Sequence, residues 1–219
     1  MTPPLEEVKL PAMAGQPTVF LDRDGTLIRE VPYLRDAGQT KVLPGVAEAL
    51  QALNRAGVLL VVVSNQSGVA RGLLDEGDLL AIQHSIDRQL SRTGARIDAY
   101  YHCPHHTSVG IVPQRRQCRC RKPLPGLLER AAEDFSIDWK RSAGVGDDIR
   151  DLQAFAAMGL PSVLVGTGKG RSAKQRLAEV GLDADLYCAH LGEAIPWLLR
   201  RTRGEGAVAL TRRPDQSRP

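Results

Sequence analysis

The chain has 219 residues, 42% of them apolar and 25% charged, which suits one α/β domain with a full core, since a domain of this size buries roughly 70% of the surface its unfolded chain exposes. That composition excludes bulk disorder, and the longest purely apolar run, Val58 to Val63, is far short of the roughly 20 residues of a membrane helix. The formal charge of +4 resides in the last twenty residues, where six arginines face Glu205 and Asp215; the rest is neutral and offers no electrostatic footprint for nucleic acid.

In chain order, residues 1–16 lack the basic start and apolar stretch of a secretion signal, so a flexible lead and a cytoplasmic location are expected. Short apolar runs then predict strands at Thr18 to Leu21, Val58 to Val63, Ile97 to Tyr101, Ala143 to Val145, Ser162 to Val165 and, weakly, Asp185 to Cys188. Amphipathic stretches between them predict helices at about 45–56, 75–93, 124–135, 148–158, 171–181 and 190–201, several opened by turn residues such as Pro44-Gly45 and Pro125-Gly126. Alternation of this kind predicts an α/β fold with a doubly wound, mainly parallel sheet, whose ligands sit beyond the carboxyl ends of the strands. The domain spans 17–201, and the Arg-, Pro- and Gly-containing end, 202–219, reads as a disordered basic tail. With 37 residues between Asp24 and Val62, there is no room for a separate cap domain.

Four polar clusters fall on the predicted ligand rim: Asp22-Arg23-Asp24-Gly25-Thr26, Ser64-Asn65-Gln66-Ser67-Gly68, Arg121-Lys122-Pro123 and Gly146-Asp147-Asp148. Each alone reads as readily as a turn, a helix cap or a solvated lysine. Together they form a phosphoryl-transfer site. A carboxylate nucleophile splits one hard displacement into two easier ones, and Asp22, at the strand exit, is placed for that role. Asp24 would protonate the leaving oxygen and then draw a proton from water, with Thr26 holding it in place. Mg²⁺ takes hard oxygen ligands, here Asp22 and Asp147, and offsets repulsion between nucleophile and phosphate. Ser64 and the backbone amides of Asn65, Gln66 and Ser67 would bind phosphoryl oxygens, while Lys122 neutralises their charge in the transition state. Arg71, Gly68 and Gly72 either shape the loop after Ser64 or form a structural turn.

Cys103, Cys118 and Cys120 with one histidine supply a closed tetrahedral set for structural Zn²⁺, since a reduced compartment disfavours a disulfide and an odd cysteine would remain. The spacing leaves His102, His105 and His106 as alternatives. Such a site would order the loop 103–120 and position Arg121 and Lys122 directly after it. Cys188 reads as a buried small hydrophobe.

The motifs FLDRDGT, VVVSNQSGVARG, YHCPHH, CRCRKPLPG and VGDDIRDLQAF, in that order over about residues 17–200, resemble the haloacid dehalogenase superfamily, in particular its branch of heptose bisphosphate and histidinol phosphatases. The resemblance implies the backbone carbonyl of Asp24 as a further Mg²⁺ ligand, His105 as the zinc-binding histidine, and Arg121 as a contact to the sugar or a second phosphate. It also implies Glu30 and Tyr33, on a flap of about 28–42, as substrate contacts. The implied substrate is a small sugar bisphosphate, D-glycero-D-manno-heptose 1,7-bisphosphate, cleaved at position 7 on the route to nucleotide-activated heptose for surface polysaccharide; histidinol phosphate is the nearest rival. A nucleic-acid-binding or end-processing role for the arginine tail is the alternative from another class. A monomer is expected, with neither membrane nor nucleic acid as partner. One departure stands out: the resembling enzymes carry a basic residue where this chain has Asp148, which either joins the magnesium shell or weakens recognition of the doubly anionic substrate.

Overall fold

The four inner strands are buried along nearly their whole length, as the unbroken apolar runs require of a parallel sheet covered on both faces, while the two edge strands are half-buried. The computed structural model describes residues 15–205. Six strands, β1 (Thr18–Leu21), β2 (Leu59–Asn65), β3 (Ala99–Cys103), β4 (Ala143–Gly146), β5 (Ser162–Val165) and β6 (Leu186–Cys188), form one sheet in the order β3-β2-β1-β4-β5-β6. Every pairing is parallel. The order reverses between β2 and β4, on either side of β1, and this is the crevice where a doubly wound sheet places its ligand.

Alternation along each strand sends neighbouring side chains to opposite faces. Val19 and Leu21 join Leu60, Val62, Val145 and Val163 under three helices, α1 (Val46–Arg55), α3 (Glu76–Leu90) and α7 (Leu191–Arg203). Phe20, Val61 and Val63 point the other way, against α4 (Gly126–Asp134) and α5 (Ile149–Ala156). A third cluster packs Leu164 with α5 and α6 (Gly170–Arg176). Cys188 sits unbridged in the first core, at 7% exposure.

Most predicted elements recur with shifted ends. The four-residue α2 (Ser67–Ala70) directly follows β2, too short to show periodicity. The helix expected over 171–181 stops at Arg176 and tightens into a 3-10 turn at Ala178–Val180, closed by Gly181 in the left-handed region. The final helix runs to Arg203, with Thr202 buried, so the domain continues past residue 201. Gln16 is likewise tied in, through a bridge to Ile137. The remainder of the expected flexible lead and basic tail lies outside the described residues. No described helix is long and apolar enough to cross a membrane.

Between β1 and α1 the chain forms a flap and no cap domain. Ile28 bridges Val42, and Gln89 of α3 clamps the returning strand by accepting from Val42 N (3.1 Å) and donating to Thr40 O (3.0 Å). Leu34, 3% exposed, anchors its tip.

Candidate active site

Asp22 leaves β1 directly and is pinned by its backbone N–H, which donates to Val145 O at 2.9 Å. The chain then coils tightly: Leu27 N reaches Arg23 O, and Gly25 N reaches Ile28 O. Gly25 has φ +86°, and a Cβ there would enter the Asp147 carboxylate. Gly168, φ +53°, makes the same demand from the loop after β5. Two glycines therefore cradle one carboxylate, whose Oδ2 accepts from Lys169 N at 2.7 Å.

Lys122, 2% exposed, reaches into this crevice from the segment preceding α4. Its Nζ lies 2.6 Å from Asp22 Oδ1 and 2.6 Å from Asp151 Oδ1, and donates to Val63 O at 2.7 Å. Asn65 holds the lysine's backbone from both sides, donating through Nδ2 to Lys122 O (2.9 Å) and accepting from Lys122 N (3.0 Å). Burial lowers the ammonium's affinity for its proton, but Asp151 and Asp22 outweigh this and hold its pKa above the ordinary lysine value.

Asp24 stands beside Asp22 with its carboxylate gripped by Arg23 Nη2 at 2.9 Å and by Gln66 Nε2 at 2.8 Å. Gln66 also donates to Ser64 Oγ at 2.6 Å, linking the exits of β1 and β2. The backbone N–H of Gln66, expected to bind a phosphoryl oxygen, donates instead to Cys103 O at 2.8 Å. Thr26 does not hold Asp24: its hydroxyl is buried with no hydrogen-bond partner, and Arg23 and Gln66 do that work.

Carboxylate oxygens of Asp22, Asp147 and Asp151 lie within 4.8 Å of one another. Burial, partly offset by Lys122 and reinforced by Asp151 and Asp24, pushes Asp22 up to about 7. Burial together with the charges of Asp22 and Asp151 pushes Asp147 up to about 8. Three buried carboxylates against one lysine leave an excess of negative charge among hard oxygen donors, and that set fits a divalent cation such as Mg²⁺.

Asp148 is not part of this convergence. It caps α5, accepting from Arg150 N at 3.0 Å, and its own backbone N–H donates to Asp151 Oδ2 at 3.0 Å. Its carboxylate also takes Arg150 Nε (3.0 Å) and Nη2 (2.7 Å). Burial opposes its charge, yet these bonds and the nearby cations bring it down to about 2. The position expected either to bind magnesium or to weaken substrate recognition anchors an arginine and also lines the inner cavity.

Two cavities meet here. The inner, about 70 Å³, is bounded by Asp22, Ser64, Lys122, Asp147, Asp148 and Asp151. The outer, about 310 Å³, is bounded by Glu30, Tyr33, Gln66, Ser67 and Arg121. Asp24, Asn65, Arg150 and Lys169 border both. Glu30 pairs with Lys169, joining the flap to the β5–α6 loop, and Arg71 lies over the Tyr33 ring, 5.4 Å from its centroid. Arg121 Nη1 donates to His105 O at 3.0 Å.

The sequence reading did not assign Arg23, Arg150, Asp151 or Lys169. Asp151 had a legible signal, one helical turn after Asp147, and Lys169 had another, the run Gly166-Thr167-Gly168-Lys169-Gly170 after a strand. The partners of Arg23 and Arg150 depend on side-chain direction, which spacing does not reveal.

Cys103, His105, Cys118 and Cys120 form a second cluster, all ligand atoms within 4.8 Å. Cys103 Sγ lies 3.6 Å from Cys118 Sγ and 3.3 Å from Cys120 Sγ, and His105 Nδ1 lies 3.3 Å from Cys120 Sγ. A tetrahedron with Zn–S arms of ~2.3 Å has edges of about 3.8 Å, so the donor set and its spacing fit zinc. Hydrogen bonding with Cys103 brings Cys120 down to about 5, favouring a thiolate ligand. His102 instead faces Glu76 (2.8 Å), and His106 Nδ1 accepts from Ser108 N at 3.2 Å, leaving His105 as the histidine of the cluster.

A family model for haloacid dehalogenase-like hydrolases matches residues 33–159. The D-glycero-beta-D-manno-heptose-1,7-bisphosphate 7-phosphatase of Vibrio cholerae is 40% identical over 172 residues, 78% of this chain and 92% of that protein; the Photorhabdus laumondii protein of the same name is 41% identical over 71% and 83%. Among solved structures, the D,D-heptose 1,7-bisphosphate phosphatase of B. bronchiseptica, complexed with magnesium and phosphate, superposes with a TM-score of 0.74 at 36% identity, covering 84% of this chain and 99% of that one. By sequence, fold and the placement of its rim residues, the chain belongs to the haloacid dehalogenase-like hydrolases.

Proposed function

We propose that this protein is a magnesium-dependent, zinc-stabilised phosphatase that removes the 7-phosphate of D-glycero-D-manno-heptose 1,7-bisphosphate, the beta anomer being the one its relatives' names carry. One observation carries the reading: a buried Asp22–Lys122 pair with Asp24 beside it closes the inner end of a cavity whose outer part is bordered by Arg121, Arg150 and Lys169. The small inner cavity suits the phosphoryl group to be transferred, and the larger cationic one suits a sugar with a second phosphate.

In this reading an Asp22 carboxylate oxygen attacks phosphorus, the bond from phosphorus to the sugar oxygen breaks, and Asp24 gives that oxygen its proton. Water then attacks the aspartyl-phosphate while Asp24 takes a proton back, releasing phosphate and restoring Asp22. Lys122 and Ser64 bind the equatorial oxygens, and Arg23 with Gln66 keeps Asp24 aimed. Asp22, Asp147, the Asp24 carbonyl and Asp151 would hold magnesium, which when bound would supply charge neutralisation at the transferring group. Zinc on the cysteine cluster fastens the loop that presents Arg121 and Lys122. The protein acts as a cytoplasmic monomer, supplying a precursor of nucleotide-activated heptose.

The test is phosphate release from both anomers of the heptose bisphosphate, histidinol phosphate and a 3′-phosphorylated oligonucleotide. The expected result is highest kcat/KM for the heptose bisphosphate. A preference for histidinol phosphate or the oligonucleotide rejects the proposal.

A further inference from the structure

Three of the side chains lining the inner cavity are nearly sealed from solvent, with Lys122 2%, Asp151 3% and Asp22 10% exposed. Arg150 stands outside that seal at 43% exposure, yet it borders both cavities. It follows Asp147 by three residues and precedes Asp151 by one, so it lies in the first turn of α5 between a candidate metal-binding carboxylate just ahead of the helix cap and another within the helix. Asp148 fixes its direction through a two-pronged contact, Nε at 3.0 Å and Nη2 at 2.7 Å. A guanidinium carries five N–H donors; two are spent on Asp148, and three remain. A planar fork held by a carboxylate on one edge is a preorganised receptor for a phosphate on another.

We infer that Arg150, positioned by Asp148, binds the phosphate of the substrate that is not transferred, and so sets the preference for a bisphosphate over a monophosphate. The inference rests on the bisphosphatase reading. Lys122 already serves the transferred group from within the seal, and Arg150 lies on the solvent side of it. The anionic residue after Gly146-Asp147 thereby supports a cation two positions later.

The experiment is steady-state kinetics of the full chain, with Arg150→Ala and Arg150→Lys, on heptose 1,7-bisphosphate and on heptose 7-phosphate. Loss of a charge-assisted contact predicts a fall of about 10- to 100-fold in kcat/KM on the bisphosphate, carried by KM and at least about tenfold larger than the fall on the monophosphate. Arg150→Lys, which keeps the charge and loses the fork, falls between. Equal losses on the two substrates, or none, overturn the inference. A wild type that prefers the bisphosphate, with an alanine variant that keeps the preference, overturns it alone. A wild type with no preference overturns the bisphosphatase reading and the inference with it.

Discussion

Lys122 and Asp151 form an ion pair of 2.6 Å with side chains only 2% and 3% exposed, and Asp22 closes on the same ammonium at the same distance. A charge buried this deeply is tolerated only with its partners, so removing one side strands the others. Lys122→Met in magnesium-free buffer should therefore lose about 3–5 kcal/mol of stability. Magnesium should restore more of the melting temperature in the variant than in the wild type. Turnover should fall about 100- to 1,000-fold, as for loss of a transition-state donor. Thermal melts with and without Mg²⁺, beside initial rates, check both.

Gly168 is the tightest approach of backbone to the carboxylate cluster. In Gly168→Ala the new methyl group enters Asp147 Oδ2 and comes within 2.7 Å of Gly25 Cα, at a φ of +53° that alanine adopts poorly. We expect Asp147 to be displaced, with magnesium affinity reduced by about 10- to 100-fold, the range typical of disturbing groups that orient metal ligands. A magnesium titration of activity reads this out; an unchanged half-saturation would contradict the cradle.

Stability should depend on pH in a defined direction when magnesium is absent. Asp22 and Asp147 have folded-state pKa values of about 7 and about 8 against an ordinary 3.8. Between these limits the folded chain retains protons that the unfolded chain has released, so stability falls as pH rises. The contribution is complete below the ordinary value and gone above about 8. Magnesium favours the ionised carboxylates and should flatten the slope. Melting temperatures across that window, with and without Mg²⁺, should show the two slopes.

For the cysteine cluster, Cys120→Ser should abolish binding of one zinc per chain, measured by elemental analysis. Stability should drop by more than about 2 kcal/mol, or roughly 4–8 °C in melting temperature for a domain this size. Activity should fall too, since Arg121 and Lys122 follow the altered ligand directly. A wild-type protein isolated without zinc would contradict the assignment.

The sheet was readable because parallel strands buried on both faces are continuous apolar runs, and Val58 to Val63 could hardly be anything else. The rim was readable from convergence: Asp22, Ser64 and Asp147 each follow such a run and alone could be turns or caps, but a doubly wound sheet brings all of these strand ends to one edge. What stayed hidden are relationships across the crevice. No spacing announces that Asn65 grips the backbone of Lys122, 57 residues away, or that Arg23 turns back onto Asp24. Asp148 shows the limit most plainly. In the sequence it is an extra negative charge on a crowded rim, and in the fold it is a helix cap that orients Arg150.

The central claim is that Asp22 carries the phosphoryl group during turnover. The direct measurement is acid quenching of the enzyme under steady-state turnover, borohydride reduction of the acyl phosphate, and peptide mass spectrometry. The account predicts conversion of Asp22, and of no other carboxylate, to homoserine. Modification at Asp24, Asp147 or Asp151 instead, or full turnover by Asp22→Asn, would contradict it.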